Sequence, residues 1–154
     1  MYKKRIIIVI AICIVLVTVL AIIHNVTRVK VPKNCIKVEY DSNELLLDIN
    51  DIDTIEVSGR VENQKNEVKE IKGGGVLLAD VVAGYCTDYS KVTVIADDEY
   101  YAVLDAEELK GDCEAYLLIT ESEARLYVFS DELSKRNVSN VKRIIINCKE
   151  GTAN

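Results

Sequence analysis

The chain has 154 residues, 49% of them hydrophobic, with 19 Lys and Arg against 25 Asp and Glu and a formal net charge of −6. That length supports one domain with its own core, and the acidic balance excludes a cationic nucleic-acid surface. The single histidine, His24, leaves the rest of the chain without a Ser-His or Cys-His nucleophile pair and without an imidazole metal ligand.

Ile6 to Ile23 is an apolar run in which only Cys13 and Thr18 are mildly polar, and Lys3, Lys4 and Arg5 stand directly before it. A span needs about 20 apolar residues, so the run predicts a transmembrane signal anchor over residues 6–25, with His24 as an interfacial residue. A cleaved secretory signal is the competing reading, but Ala21-Ile22-Ile23-His24 is not a small-residue cleavage site. Cys13 follows Ile12 inside the run and does not resemble a lipoprotein cysteine. The expected layout is a tail over 1–5, the anchor, a basic stalk over 26–34 carrying Arg28, Lys30, Pro32 and Lys33, a domain over 35–149 and a tail over 150–154. Basic residues flank the run on both sides, so orientation rests on the short leading tail. It places the domain outside the cytoplasm of a single-pass cell-membrane protein.

Residues 34 to 154 hold 13 Lys and Arg against 25 Asp and Glu, a net of −12. Within them, Cys35-Ile36-Lys37-Val38-Glu39-Tyr40 and Thr54-Ile55-Glu56-Val57-Ser58-Gly59-Arg60-Val61 alternate apolar and polar residues, the period of a half-buried strand. Leu45-Leu46-Leu47 with Ile49 is too short to assign. Glu67 to Ile71 alternates again after a turn at Asn63-Gln64-Lys65-Asn66. Gly73-Gly74-Gly75 then interrupts the chain before a short amphipathic helix that begins at Val76, ends near Gly84 and keeps Asp80 wet. Lys91 to Ala96 and Tyr100 to Leu104 flank Asp97-Asp98-Glu99 as a hairpin. Asp105 and Glu108 have capping-box spacing, with Gly111 as terminator. Ala115 to Thr120, Arg125 to Ser130 and Val141 to Asn147 read as strands, with Ile144-Ile145-Ile146 central and covered on both faces. The expected fold is α+β, strand-rich, in one domain behind the anchor.

Gly74 to Val82 (Gly-Gly-Val-x-Leu-Ala-Asp-Val-Val), Val92 to Asp97 (Val-Thr-Val-x-Ala-Asp), Tyr100 and the Ala-Tyr-Leu-Leu of Ala115 to Leu118 follow one another in this order. Arg125-Leu126-Tyr127-Val128-Phe129 and Val138 to Ile146 close the series. Together they resemble the oxidoreductase molybdopterin-binding domain of the sulfite oxidase type, over roughly residues 53 to 148. The resemblance implies that α+β fold and, in its active members, a cysteine thiolate on molybdenum before the Gly-Val-x-Leu helix. Glu56 to Val61 has no cysteine, and Glu121 and Glu123 stand where the family brings a glycine-lined backbone to an anionic cofactor. The fold is then kept and the cofactor lost, with Arg60 and Arg125 as the strand arginines still able to serve an anion.

The expected function is a non-catalytic module that binds a protein or a small ligand and carries no cofactor. The alternative is a molybdopterin-dependent oxidoreductase or electron-transfer component. Four cysteines remain beyond the anchor. Cys35 with Cys148 would staple the terminal strands and Cys86 with Cys113 would join two loops, the other readings being free buried thiols or a reactive or metal-bound cysteine. Gly73-Gly74-Gly75 either holds an anion at a helix start or supplies glycine torsions, and Asp97, Asp98 and Glu99 form either a weak Ca²⁺ site or a solvated hairpin tip. Tyr85, Tyr89, Tyr100, Tyr101, Tyr116 and Tyr127 either line a binding groove or pack half-buried on strands.

Overall fold

The computed structural model describes residues 6, 10, 12–20, 31–62, 65, 67–131 and 134–149. They fall into two compact units, Met1–Lys30 and Val31–Asn154. In the first, residues 6, 10 and 12–20 are helical (helix α1), and the Thr18 hydroxyl donates to the Ile14 carbonyl at 2.7 Å. Among the described residues no helix is long and apolar enough to cross a membrane. This corrects the expected transmembrane anchor over 6–25, and with it the single-pass membrane location and the placement of the domain outside the cytoplasm. Lys3, Lys4, Arg5, His24, Arg28, Lys30, three residues of the 63–66 turn and the 150–154 tail lie outside the described residues.

The second unit is strand-rich, with two sheets. Its elements are β1 (Cys35–Tyr40), β2 (Asn43–Asp48), a 3-10 turn (Ile49–Asp51), β3 (Ile55–Glu62), β4 (Val68–Leu77), α2 (Leu78–Ala83), β5 (Tyr89–Ala96), β6 (Tyr101–Asp105), α3 (Ala106–Lys110), β7 (Ala115–Ile119), β8 (Ala124–Val128) and β9 (Val141–Cys148). One sheet has the order β2-β1-β9-β5-β6 and the other β3-β4-β7-β8. All pairings are antiparallel except β1 with β9, which is parallel, Val38 standing opposite Ile144.

Period-2 alternation puts Ile36, Val38, Val92, Val94, Ala102, Leu104, Ile144 and Ile146 on the inner face of the first sheet, all buried. They share one core with Ala115, Leu117, Leu126 and Val128 of the second sheet and with Leu78, Val82 and Leu109 of the helices. β9 is central, as its isoleucine run predicts, but it is covered on one face only: Ile145 is half-exposed between two buried neighbours. The unassigned leucines form β2, and its last residue, Asp48, caps the 3-10 turn that follows, its carboxylate accepting from Asn50 N–H at 2.9 Å. Asp80 is exposed, as expected.

The three glycines do not interrupt the chain. Gly73, Gly74 and Gly75 lie inside β4 opposite Val57, Glu56 and Ile55, and Val76 and Leu77 extend the same strand, so α2 starts two residues later than the spacing predicts. A Cβ on Gly75 would stand 3.0 Å from the Leu117 carbonyl oxygen, and one on Gly74 would stand 3.0 Å from Thr54 Oγ1. Close strand approach, not a turn, requires glycine here. The second sheet also curls, since a Cβ on Gly59 of edge strand β3 would lie 2.5 Å from the ring of Phe129, just beyond the opposite edge strand β8. Inside the curl, Val57, Ile71 and Leu118 make a second small core with Tyr116, Tyr127 and Phe129 against it.

Truncation of Ile144 to Ala removes a fully buried side chain from the middle of the first sheet and is expected to cost about 3 kcal/mol. Ile145→Ala, one residue on and facing outward, is expected to cost under about 1 kcal/mol. Urea denaturation of the two variants checks the assignment of faces along β9.

Candidate functional site

Three places concentrate chemistry-bearing side chains in the second unit. The first is an open cleft of about 310 Å³ between the end of α3 and the segment after β8, lined by Glu107, Glu108, Gly111, Asp112, Cys113, Ser130 and Arg136. Arg136 closes its wall as a double clamp. Its guanidinium meets both Glu108 oxygens, at 2.7 and 2.6 Å, and both Asp131 oxygens through Nε at 3.0 and 2.9 Å. A further Nη2 contact reaches Asp131 Oδ1. Planar guanidinium matches carboxylate geometry twice over, which ties α3 to the 131–136 segment.

The capping-box spacing of Asp105 and Glu108 is thus half used. Asp105 is the N-cap residue but its side chain makes no cap bond, while Glu108 accepts from the Asp105 backbone and gives its strongest contacts to Arg136. Those Arg136 hydrogen bonds hold the Glu108 carboxyl below its ordinary value, against the opposing effect of burial. Cys113 is buried, and that burial pushes its thiol up, although the Ser130 hydroxyl donates to its sulfur at 3.8 Å. A thiol kept protonated in this way is a poor nucleophile.

The second place is the set of positions that the family resemblance maps onto a cofactor. Arg60 and Arg125 sit on the two edge strands of the second sheet. The register from β3 through β4 and β7 to β8 puts Arg125 on the face of Gly59 and Val57, and Arg60 on the opposite face. Arg60 is exposed, with Glu70 opposite it in β4. Arg125 is engaged by Tyr127 and by Glu123, whose carboxylate accepts from Nε at 2.7 Å, and its value is raised by these contacts. The Gly73 to Gly75 backbone is part of a ladder and not an anion cradle. No group of three or more His, Cys, Asp and Glu placed to hold a metal occurs among the described residues. The Asp97 to Glu99 segment is a turn in which Asp98 accepts from Tyr100 N–H at 3.1 Å and Glu99 takes a positive φ of 71°.

The six tyrosines do not line one groove. Tyr85 packs on Tyr40 with ring centroids 5.5 Å apart, and Tyr89 is buried under Lys110 at 4.8 Å. Tyr116 and Tyr127 belong to the Phe129 cluster, at 6.1 and 5.9 Å. Tyr100 and Tyr101 are exposed at β6, the Tyr100 hydroxyl donating to the Lys135 carbonyl at 2.7 Å.

β6 is the third place. On the outer face of the first sheet Tyr101 is 62% exposed and Val103 is 38% exposed. In register beside them lie Ile95 and Thr93 of β5; beyond Thr93 lies Ile145 of β9, and beyond Ile95 lies Arg143, which pairs with Glu39 at 3.8 Å. Toward β1 and β2 the same face turns polar, with Lys37 bridging Glu39 at 3.0 Å and Glu44 at 2.9 Å. The Tyr-x-Val alternation after an acidic turn marks the strand in the sequence. Its place at a sheet edge depends on β9 pairing with β5 from the other side, which no local pattern reports.

The cysteines pair differently from the expectation. Cys86 is disulfide-bonded to Cys148, across a sequence separation of 62, while Cys35 and Cys113 are free. The terminal strands are indeed neighbours, but they run parallel, so Cys35 at the start of β1 and Cys148 at the end of β9 lie at opposite ends of the sheet. About seven residues of strand, some 23 Å, separate those levels.

No protein-family model matches the sequence, and no curated protein matches it.

Two measurements check this chemistry. Thiol titration of the unreduced, denatured chain is expected to find three free thiols, Cys13, Cys35 and Cys113, rising to five after reduction. Because the folded-state value of Glu108 is lowered from 4.5, its contribution is present at neutral pH and is lost as pH falls below that value. Glu108→Gln is therefore expected to flatten the acid limb of a stability-against-pH curve, read by thermal melts from pH 7 to pH 3.

Proposed function

We propose that the second unit is a non-catalytic binding module that engages a protein partner through β6 and the adjoining apolar half of the outer face of the first sheet. The observation that carries this is the solvent exposure of Tyr101 and Val103 beside Ile95, Thr93 and Ile145. Interface cores are enriched in tyrosine, as this patch is through Tyr101, and Arg143 beside Ile95, with the charges toward β1 and β2, forms its polar rim. The protonated, buried Cys113 and the saturated Arg136 clamp support a structural role for the cleft beside α3, since neither offers a nucleophile or an unpaired charge. The net of −12 over residues 34 to 154 favours a basic partner surface.

A photo-crosslinking residue placed at position 101 or 103 of the full chain is expected to capture a protein partner, whereas the same residue at position 60 is not. Tyr101→Ser combined with Ile95→Ser is expected to remove the adduct formed from position 103 without lowering the melting temperature by more than a few degrees. Equal capture from positions 60 and 103, or none from 101 and 103, sinks the assignment of this surface.

A further inference from the structure

We infer that β6 is a recognition edge that accepts an extended segment of a partner protein as a sixth strand, the segment being apolar at alternate positions and basic at its ends. This rests on the binding-module reading and specifies its mode.

The order β2-β1-β9-β5-β6 leaves β6 with one hydrogen-bonded neighbour. Ala96 N–H donates to the Tyr100 carbonyl at 2.8 Å, which fixes the phase of the β5–β6 ladder. Bonded and non-bonded pairs alternate in an antiparallel ladder, so Ala102 and Leu104 exchange bonds with β5, while Tyr101 and Val103 turn N–H and C=O outward. Those outward groups are a template for another strand.

The other three edges differ. Leu126 of β8 already exchanges two backbone bonds with Val138, at 2.8 and 3.0 Å. β3 carries Glu56, Arg60 and Glu62, and β2 carries Glu44 and Asp48. Charged edge residues are a usual defence against strand addition. The run Tyr101-Ala102-Val103-Leu104 has none.

The ends of β6 select the occupant. Asp98 precedes the strand, Asp105 and Glu107 follow its run, and all three are exposed, with Lys91 of β5 opposite Asp105. A second copy adding antiparallel about Val103 would set the Asp98 end of one chain against the Asp105 and Glu107 end of the other. Like charges facing across strands disfavour that pairing, whereas basic ends on a foreign strand complement both.

The probe is a seven-residue peptide with lysine at each end and valine alternating with threonine between, added to the isotope-labelled full chain. Saturable amide shifts confined to β5, β6 and the peptide are expected, with slowed exchange at the Tyr101 and Val103 amides. Val103→Pro removes one outward donor and leaves the β5 ladder intact, so about a tenfold loss of affinity is expected, the worth of one hydrogen bond. If that variant fails to fold, Tyr101→Lys decides in its place, by repelling the basic ends. The same peptide ended in glutamate is expected not to bind. Unchanged affinity in a folded Val103→Pro, shifts centred on another strand, equal binding of the glutamate peptide, or concentration-dependent self-association through β6 in sedimentation each overturns the proposal. If position 103 crosslinks a partner but the peptide leaves the β6 amides unmoved, strand addition fails and the binding surface stands; if neither occurs, both fail.

Discussion

Everything in the second unit is arranged around β9. Its buried Ile144 and Ile146 stand between Val38 of β1 on one side and Val92 and Val94 of β5 on the other, so one strand supplies the middle of the larger sheet. Because β9 takes the central position between β1 and β5, their hairpin partners β2 and β6 become the edges. Because its pairing with β5 is antiparallel, with Cys148 opposite Tyr89, its far end comes to the loop after α2, where Cys148 meets Cys86. In a chain-entropy account a loop of this length contributes about 4 kcal/mol through the unfolded state, on top of the apolar burial that already holds β9 in place.

The second sheet obeys a different constraint. β4 must pass between β3 and β7 closely enough that Gly75 nearly touches the Leu117 backbone, and the sheet must curl enough that Phe129 lies over Gly59. Side chains at these glycine positions would hold the strands apart. What glycine loses in strand propensity is offset by the small core of Val57, Ile71 and Leu118 that the curl encloses. The Ser134 hydroxyl, donating to the Glu62 carbonyl at 2.9 Å, fastens the outer end of the β3–β4 hairpin to the segment after β8.

The strands were legible because each half-buried one alternates: Cys35 to Tyr40, Ile55 to Val61, Lys91 to Ala96 and Tyr101 to Leu104 all lie where period 2 puts them. What misled was local chemistry with two outcomes. Three glycines read as a break because glycine usually punctuates, yet here they serve close strand approach within β4. An apolar run from Ile6 read as a span because length and hydropathy are all that a sequence offers, and no described helix is long and apolar enough for one. Cys35 and Cys148 sit on adjacent strands, but strand direction is a tertiary fact that residue spacing does not carry. The same holds for the surface at β6, whose exposure depends on which strands flank β5. Arg60 and Arg125 were separated by the register of four strands, which placed them on opposite faces and at opposite edges.

The pairing of β1 with β9 also sets an order of events. Lys37 to Tyr40 pair locally with β2, but on their other side their partners are Arg143 to Ile146, more than a hundred residues on, so the larger sheet joins distant pieces of the chain. Hairpins such as β1–β2 and β5–β6 are local and can form early, but closing the loop between β1 and β9 carries an entropy cost that neither hairpin repays. On a ribosome the inner faces of β1 and β5 would both wait, apolar and half-made, for a strand translated more than a hundred residues after the first. A pairing this distant in sequence is slow by the standard of locally connected folds, and a stalled or truncated chain lacking β9 would present two sheet fragments with nothing between them.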